Sequence, residues 1–533
     1  ASPAKYQFKH LSFQEGLFAQ HLLMQAEEGW EGWATDVAAQ EFLNNPFMNN
    51  TCRIGSGFLG TLLAKLRQTW DFSSKEARLT SVGLFALWLL MENNKTLQKL
   101  VLRGNGVGKQ VEDSAGLAKM FTNAPALTSL DLGNNHLGKL RQTNVGLRQV
   151  ARGLSQCKNL TEIDLSSNEL WPEGVSKFCY AMRTCTGMRR IDLSHNHPGR
   201  DPSIAELLRI HTNLQRLAVV EAAPQTRLER SFFLDNRGKE QIGRALLESR
   251  SMLSYLICDV FKLDEGTTTL LWRSDQQNDA VMLAGALKTN TTLTALNLTG
   301  GKTQEGAEAS LGDFEREELG RALLRNTKGC VGYSDVYNLK QGGPKSQTFD
   351  LKDKTQIRSH RSFIFLAGLL RGNATLTSLE LVSLGADHIE LLSEALRSNT
   401  TLQELKLVHR PKANEKTVAK LPVQSLNGNK KVDRIDLWDC STVIVDDNPP
   451  KISFMQRQVT ACVGAMLAAN QTINSLRLNP GPGAEGGGVL EHLDVAKKSS
   501  LRILDITGIG LGDRGGPRLC ELLGNGSCSM CTS

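Results

Sequence analysis

The sequence predicts an α/β fold, a solenoid in which short strands and helices alternate as stacked repeats. Two observations carry this reading. The spacing apolar-x-x-apolar-x-apolar returns along most of the 533-residue chain. Between its copies lie segments whose apolar residues recur every three and four positions, the period of an amphipathic helix. Each repeat therefore reads as a strand, a tight turn and a helix. One such unit cannot bury its apolar face alone, and stacking its neighbours makes a continuous core.

The strand pattern begins at Leu97, Leu127, Leu160, Met188, Leu214, Leu253 and Leu293, and again at Leu376, Leu402, Val432, Ile473 and Leu501. Three apolar residues at that spacing are common by chance, so the context decides. The first four copies add an asparagine eight residues after the first apolar position: Asn105, Asn135, Asn168 and Asn196. Helical segments such as DAVMLAGALKTN and HIELLSEALRSN fill the intervals. A second asparagine stands three residues before the first apolar position, at 94, 290, 373, 399, 429 and 470. Asparagine tolerates the left-handed conformation that closes a helix, so these residues are expected to be C-caps. Five of the nine Asn-x-Ser/Thr triplets are such positions, which favours caps over glycan sites.

These phrases resemble the leucine-rich repeat family, and within it the long ribonuclease-inhibitor-like class with a helix in every repeat. The resemblance covers about 94–516. It implies a curved, horseshoe-shaped solenoid of about thirteen repeats, with parallel strands inside and helices outside. Residues 1–93 are expected to form an N-terminal helical cap or docking module, and 517–533 a C-terminal cap and tail. Strand starts lie 26 to 41 residues apart, except for a gap of 83 that must hide a degenerate repeat; Asn326 and the residues after it fit, with Gly329 in the leucine position. The segments 258–277, 334–356 and 438–456 read as β-type insertions, the first two resembling one another. The strand-exit asparagine is missing after the fourth copy, so later turns are expected to be less regular.

Composition narrows the function. Hydrophobic residues at 40% and charged residues at 22% describe a folded chain rather than a disordered one. A net charge of +7 without a dense Lys/Arg run is too dilute to imply nucleic acid. The longest apolar run, 82–91, is too short to span a membrane. Eleven scattered cysteines, an odd number, fit reduced thiols better than a disulfide framework, and with no secretory leader the expected location is intracellular (cytoplasm or an organelle interior), not secreted.

No chemistry survives inspection. GNGVGKQ at 104–110 has Arg103 and Gln110 where a phosphate loop needs a glycine and a hydroxyl residue, and TGGKTQ at 299–304 has Leu296 in the glycine position. Cys528 and Cys531 form a lone CxxC without a second pair. His136, His195 and His197 lie beside strand turns without metal-ligand spacing and are expected to be solvated. The expectation is no enzyme, no cofactor and no metal.

The inner strand face is the informative surface. By alternation, the residue between the second and third apolar positions points outward from the core. That column reads Val101, Asp131, Asp164, Asp192, Ala218, Ile257, Asn297, Glu380, Lys406, Asp436, Arg477 and Asp505. With Glu162 it is acidic early; with Lys406, Arg434, Arg477 and Arg502 it turns mixed to basic. Trp438 is a candidate anchor, because aromatic residues concentrate at binding hot spots. The expected function is a non-enzymatic protein–protein interaction scaffold, an accessory subunit of a larger intracellular assembly. The alternatives are a regulator of a small GTPase, by analogy of fold with the Ran GTPase-activating family, and, third, a ribonucleoprotein component.

Overall fold

The computed structural model describes residues 11–408, except 93, 110, 139–144, 222–233, 251, 275, 299–310, 330, 352–356, 358, 383–385 and 397, together with three later strands at 434–438, 475–479 and 503–505. The chain divides into two compact units, Ala1–Asp264 and Glu265–Ser533.

The first unit opens with helices α1 (Leu11–Glu28), α2 (Asp36–Asn44) and α3 (Asn49–Leu66). Strands and helices then alternate: β1 (Thr69–Asp71), α4 (Ser81–Met91), β2 (Lys99–Val101), α5 (Val111–Asn123), β3 (Ser129–Asp131) and α6 (Val145–Leu154). There follow β4 (Glu162–Asp164), α7 (Trp171–Met182), β5 (Arg190–Asp192), α8 (Ser203–Ile210), β6 (Arg216–Val219), α9 (Asn236–Glu248), β7 (Tyr255–Cys258) and β8 (Lys262–Leu263). Strands β1 to β7 pair in parallel in chain order, and β8 returns antiparallel to β7. The middle residues Trp70, Leu100, Leu130, Ile163, Ile191, Leu217 and Leu256 stand in one register column, and all are buried. The sheet thus starts one repeat before the leucine pattern does. Trp70 and Phe72 fill apolar positions in β1 and just after it, so a scan for leucine passes over this repeat, and among the described residues α1–α3 are the α-helices that precede the ladder.

The second unit contains β9 (Thr269–Leu271), α10 (Gln277–Leu287), β10 (Ala295–Asn297), α11 (Asp313–Arg325), β11 (Ser346–Asp350), α12 (His360–Gly372), β12 (Ser378–Val382) and α13 (Ala386–Leu396). It continues with β13 (Glu404–Val408), β14 (Arg434–Trp438), β15 (Ser475–Asn479) and β16 (Ile503–Asp505). β9 and β10 form a parallel pair, and β11 to β16 a six-stranded parallel sheet. The degenerate repeat lies where the gap placed it: Tyr333 bridges Ala295 in parallel, and Asn326 accepts the N–H groups of Lys328 and Gly329. The first two insertions share one plan. Each makes a short antiparallel return (β7 with β8, Ser334 with Leu339) and then supplies a parallel strand, β9 or β11. They are therefore a return and a solenoid strand in succession. The third insertion beyond Trp438 and the tail 517–533 lie outside the described residues.

Two ladders of polar side chains, most of them buried, fasten the repeats. At the strand exits, Asn105, Asn135, Asn168 and Asn196 each donate Nδ2–H to a carbonyl of the preceding repeat: Phe72, Leu102, Leu132 and Leu165. Their Oδ1 atoms accept N–H groups from that same repeat, as Asn168 does from Asn135 and Leu137. The residues on either side of each asparagine have positive φ: Gly104 and Gly106, Asn134 and His136, Ser167 and Glu169, His195 and His197. Glycine reaches this region freely, and asparagine and histidine are over-represented there, so the turn chemistry is written in the sequence. The ladder does not stop at the fourth repeat. Glu221 takes the next slot, its Oε1 accepting the N–H groups of Asn196 and His197. A carboxylate one position earlier than the asparagine would stand keeps the acceptor.

The second ladder lies at the helix ends. Asn94, Asn290, Asn326, Asn373 and Asn399 are buried, and each Oδ1 accepts two N–H groups two and three residues on, as Asn399 does from Thr401 and Leu402. None of the five has positive φ. They cap by an Asx turn of the side chain rather than by a left-handed backbone, because two accepted N–H bonds already satisfy the exit of the chain. Three of the amides are also engaged across repeats: Asn399 donates to Leu370 and Asn373, Asn373 to Gly332, and Asn326 to Leu287 and Asn290.

Candidate functional site

The strand face of the first unit gathers the polar residues. Since β1–β7 share one register, the residues flanking each buried middle residue form two columns on the side opposite the core. One column reads Asp71, Val101, Asp131, Asp164, Asp192, Ala218 and Ile257; the other Thr69, Lys99, Ser129, Glu162, Arg190, Arg216 and Tyr255. The columns border an open depression of about 270 Å³ over β2–β6.

Asp131, Asp164 and Asp192 are built alike. Each accepts the N–H two residues on, from Gly133, Ser166 and Ser194, at 2.8, 2.8 and 2.9 Å. This Asx turn fixes the carboxylate as the chain leaves the strand. Arg103, leaving β2, reaches across two strands. Its Nε lies 3.1 Å from Asp131 Oδ2, and a terminal nitrogen pairs with Asp164 and stands 3.1 Å from Ser166 Oγ. Gly133 makes the room, for a Cβ there would stand 2.3 Å from the guanidinium carbon. Burial works to lower the Arg103 pKa, but the charges of Asp164 and Asp131 outweigh it and hold the pKa above the usual arginine value. Burial and then the Asp164 charge raise Asp131, against the Gly133 N–H and Arg103. Asp192 is raised chiefly by burial, against the Ser194 N–H, with the Asp164 charge adding to the rise.

The second column carries the balancing charge. Glu162 accepts from Ser129 Oγ at 3.2 Å and lies 3.6 Å from Arg190 Nε. Arg216 bonds Asp264 at 2.8 Å. The early face is therefore a lattice of alternating signs rather than a simple acidic stripe. Arg103, Arg190 and Arg216 stand outside the column that alternation picks out, Arg190 and Arg216 in the second column and Arg103 beyond the end of its strand. His197, expected from the sequence to be solvated, is not. That ring is mostly covered, with Nδ1 3.0 Å from the buried Glu221 Oε2 and its centroid 4.9 Å from the Trp171 ring.

In the second unit the register joins Glu380, Lys406, Asp436, Arg477 and Asp505 in one column. Lys406 Nζ pairs with Glu380 at 3.2 Å. Arg434 is in register with Glu404 and Ser475, and Trp438 with Val408 and Asn479. Arg502 lies outside the described residues. Among the described residues no cluster of histidine, cysteine and carboxylate side chains could hold a metal, and no helix is long and apolar enough to cross a membrane. Five described cysteines, 52, 157, 179, 185 and 258, are free and buried. Burial pushes the Cys157 thiol up to about 11 and the others to about 12, so none is a ready nucleophile.

Strand register, strand-exit asparagines and alternating helices are those of leucine-rich repeats. The family described as "Leucine Rich repeat" matches residues 156–179, which hold β4, the Asn168 turn and most of α7. The chain is 34% identical over 117 residues to a Tonsoku-like protein of Bos taurus, a stretch covering 21% of this chain and 8% of that protein. The chain thus spans less than a tenth of the length of that curated relative. A leucine-rich repeat-containing protein, LegL7 from Legionella pneumophila, is 15% identical, with 66% of this chain and 93% of that one covered at a TM-score of 0.24. Leucine-rich repeats typically serve as protein-interaction scaffolds rather than enzymes.

Proposed function

We propose that this chain is a non-enzymatic scaffold within an intracellular protein assembly, and that it presents the strand face of its first unit to a protein partner. The observation that carries this is the set of Asp131, Asp164 and Asp192, held in place by backbone N–H groups and by Arg103. Side chains fixed before binding lose little entropy on binding, and a lattice of both signs selects partners more than it adds raw affinity. The free, unreactive thiols support a reducing compartment.

Affinity isolation of the intact protein from its native source, followed by mass spectrometry, tests the reading. A stable set of co-purifying proteins that is lost with Asp192→Lys and retained with Lys340→Glu, a substitution in the second unit, is the expected result. Recovery of the wild-type chain without any other protein counts against it.

A further inference from the structure

Most charges lining the depression over β2–β6 are already answered from within the chain. Arg103 holds Asp131 and Asp164, Glu162 stands 3.6 Å from Arg190, and Arg216 bonds Asp264. Two lining charges, Lys99 and Asp192, form no ion pair among the described residues. Lys99 is exposed on β2, and Asp192 is half-buried on β5. Burial and the neighbouring Asp164 charge both work against the ionised form of Asp192, opposed by the Ser194 N–H. The register fixes where the two stand. Lys99 aligns with Ser129, Glu162 and Arg190, and Val101 with Asp131, Asp164 and Asp192. Asp192 is therefore three strands away from Lys99 and two residues further along. At about 4.8 Å per strand and about 3.3 Å per residue, the two positions are roughly 16 Å apart.

We infer that this face takes an extended segment of a partner protein, laid diagonally over β2–β5, with an acidic side chain on Lys99 and, about five residues away, a lysine on Asp192. The inference rests on the strand face being the partner surface, as proposed above, and adds the chemistry of what lies there. Charge complementarity selects the occupant: the lattice between the two ends is paired, so what it lacks is one anion at β2 and one cation at β5. A lysine fits Asp192 better than an arginine. One carboxylate oxygen already accepts the Ser194 N–H at 2.9 Å, so Asp192 does not offer the open pair of oxygens that a guanidinium fork takes. A helix, roughly 10–12 Å across with its side chains, is too wide to enter a depression of about 270 Å³. A nucleic acid fits poorly, because its phosphates would meet Asp131, Asp164 and Asp192.

Cross-linking of the full chain, isolated with its native partners, tests the inference. A zero-length carbodiimide reagent joins a carboxylate to an amine in contact with it, and mass spectrometry reads the joined peptides. The expected links run from Asp192 to a lysine and from Lys99 to an aspartate or glutamate of one partner segment, about five residues apart. Asp192→Asn is expected to lower the retained partner roughly tenfold, and Lys99→Met, at the exposed end, roughly threefold. Both are neutral replacements of similar size, and circular dichroism should show them folded. A partner lost with Asp192→Lys but fully retained with Lys99→Met overturns the inference and leaves the scaffold reading standing. So do links from the strand face that bypass both residues. A partner that survives Asp192→Lys, or a chain recovered alone, overturns both.

Discussion

The two units solve one problem at opposite ends of the repeat. In the first, the strand exits are tied by Asn105, Asn135, Asn168, Asn196 and Glu221, and seven strands run in unbroken parallel register. In the second, the helix ends are tied by Asn290, Asn326, Asn373 and Asn399, and the parallel pairing is interrupted. The first unit has the helix-end slot as well and, after Asn94, fills it differently. Cys185 Sγ lies 2.9 Å from the Cys157 carbonyl oxygen and 3.6 Å from that of Leu154, the geometry in which the Asn399 amide meets Asn373 and Leu370. His211 Nε2–H likewise donates to Met182 at 2.9 Å. A thiol or imidazole is tolerated where the other ladder already fixes the repeat; an asparagine with both donor and acceptor used is found where it does not.

This contrast can be broken or sharpened by substitution. The largest effect is expected at Asn168, which is fully buried and bonds five backbone groups. Asn168→Ala should cost about 3–4 kcal/mol in urea unfolding, because the N–H and C=O groups it serves stay buried without partners. Asn399→Ala should cost about 2 kcal/mol and, by hydrogen exchange, loosen the second unit alone. Cys185→Ala, in the equivalent slot of the first unit, should cost clearly less than Asn399→Ala; equal losses would show that the two units do not differ in this way.

His211 gives a pH-dependent test of the same slot. Burial lowers its pKa, with the Met182 carbonyl opposing. The folded state then binds fewer protons than the unfolded one, so the stability of the first unit should fall as pH drops below the ordinary histidine value of about 6.5. His211→Gln should flatten that slope in urea midpoints measured against pH. The smallest effect is expected at the strand face. Arg103→Met should move the Asp131 titration further above the usual carboxylate range, as read by carboxyl-carbon NMR with labelled aspartate, because the cation that opposes burial is gone. A raised carboxylate pKa makes the folded state hold protons that the unfolded chain has released, so Asp131 favours folding less as pH rises through that range.

Much of this was legible before any coordinates. Leu130, Ile163 and Ile191 announce buried middle positions by their spacing, and Asn135, Asn168 and Asn196 announce the turn. Both signals are local, set by a strand that alternates and a turn that needs positive φ. The same alternation assigned Asp131, Asp164 and Asp192 to one face. What stayed hidden depends on residues far apart in the chain. Nothing near Glu221 marks it as the fifth rung, because its role is defined by N–H groups 24 and 25 residues earlier. Trp70 and Phe72 begin the sheet without a leucine between them.

The sequence by itself determined the repeat, its period and the orientation of each strand, since these follow from hydrophobic burial repeated at fixed spacing. Only the tertiary structure decided which charges meet. Arg103 is 28 residues from Asp131 and 61 from Asp164, and stacking alone brings it over both. The interrupted pairing was decided there too, for the returns at β8 and at Leu339 take their meaning from the strands they turn away from.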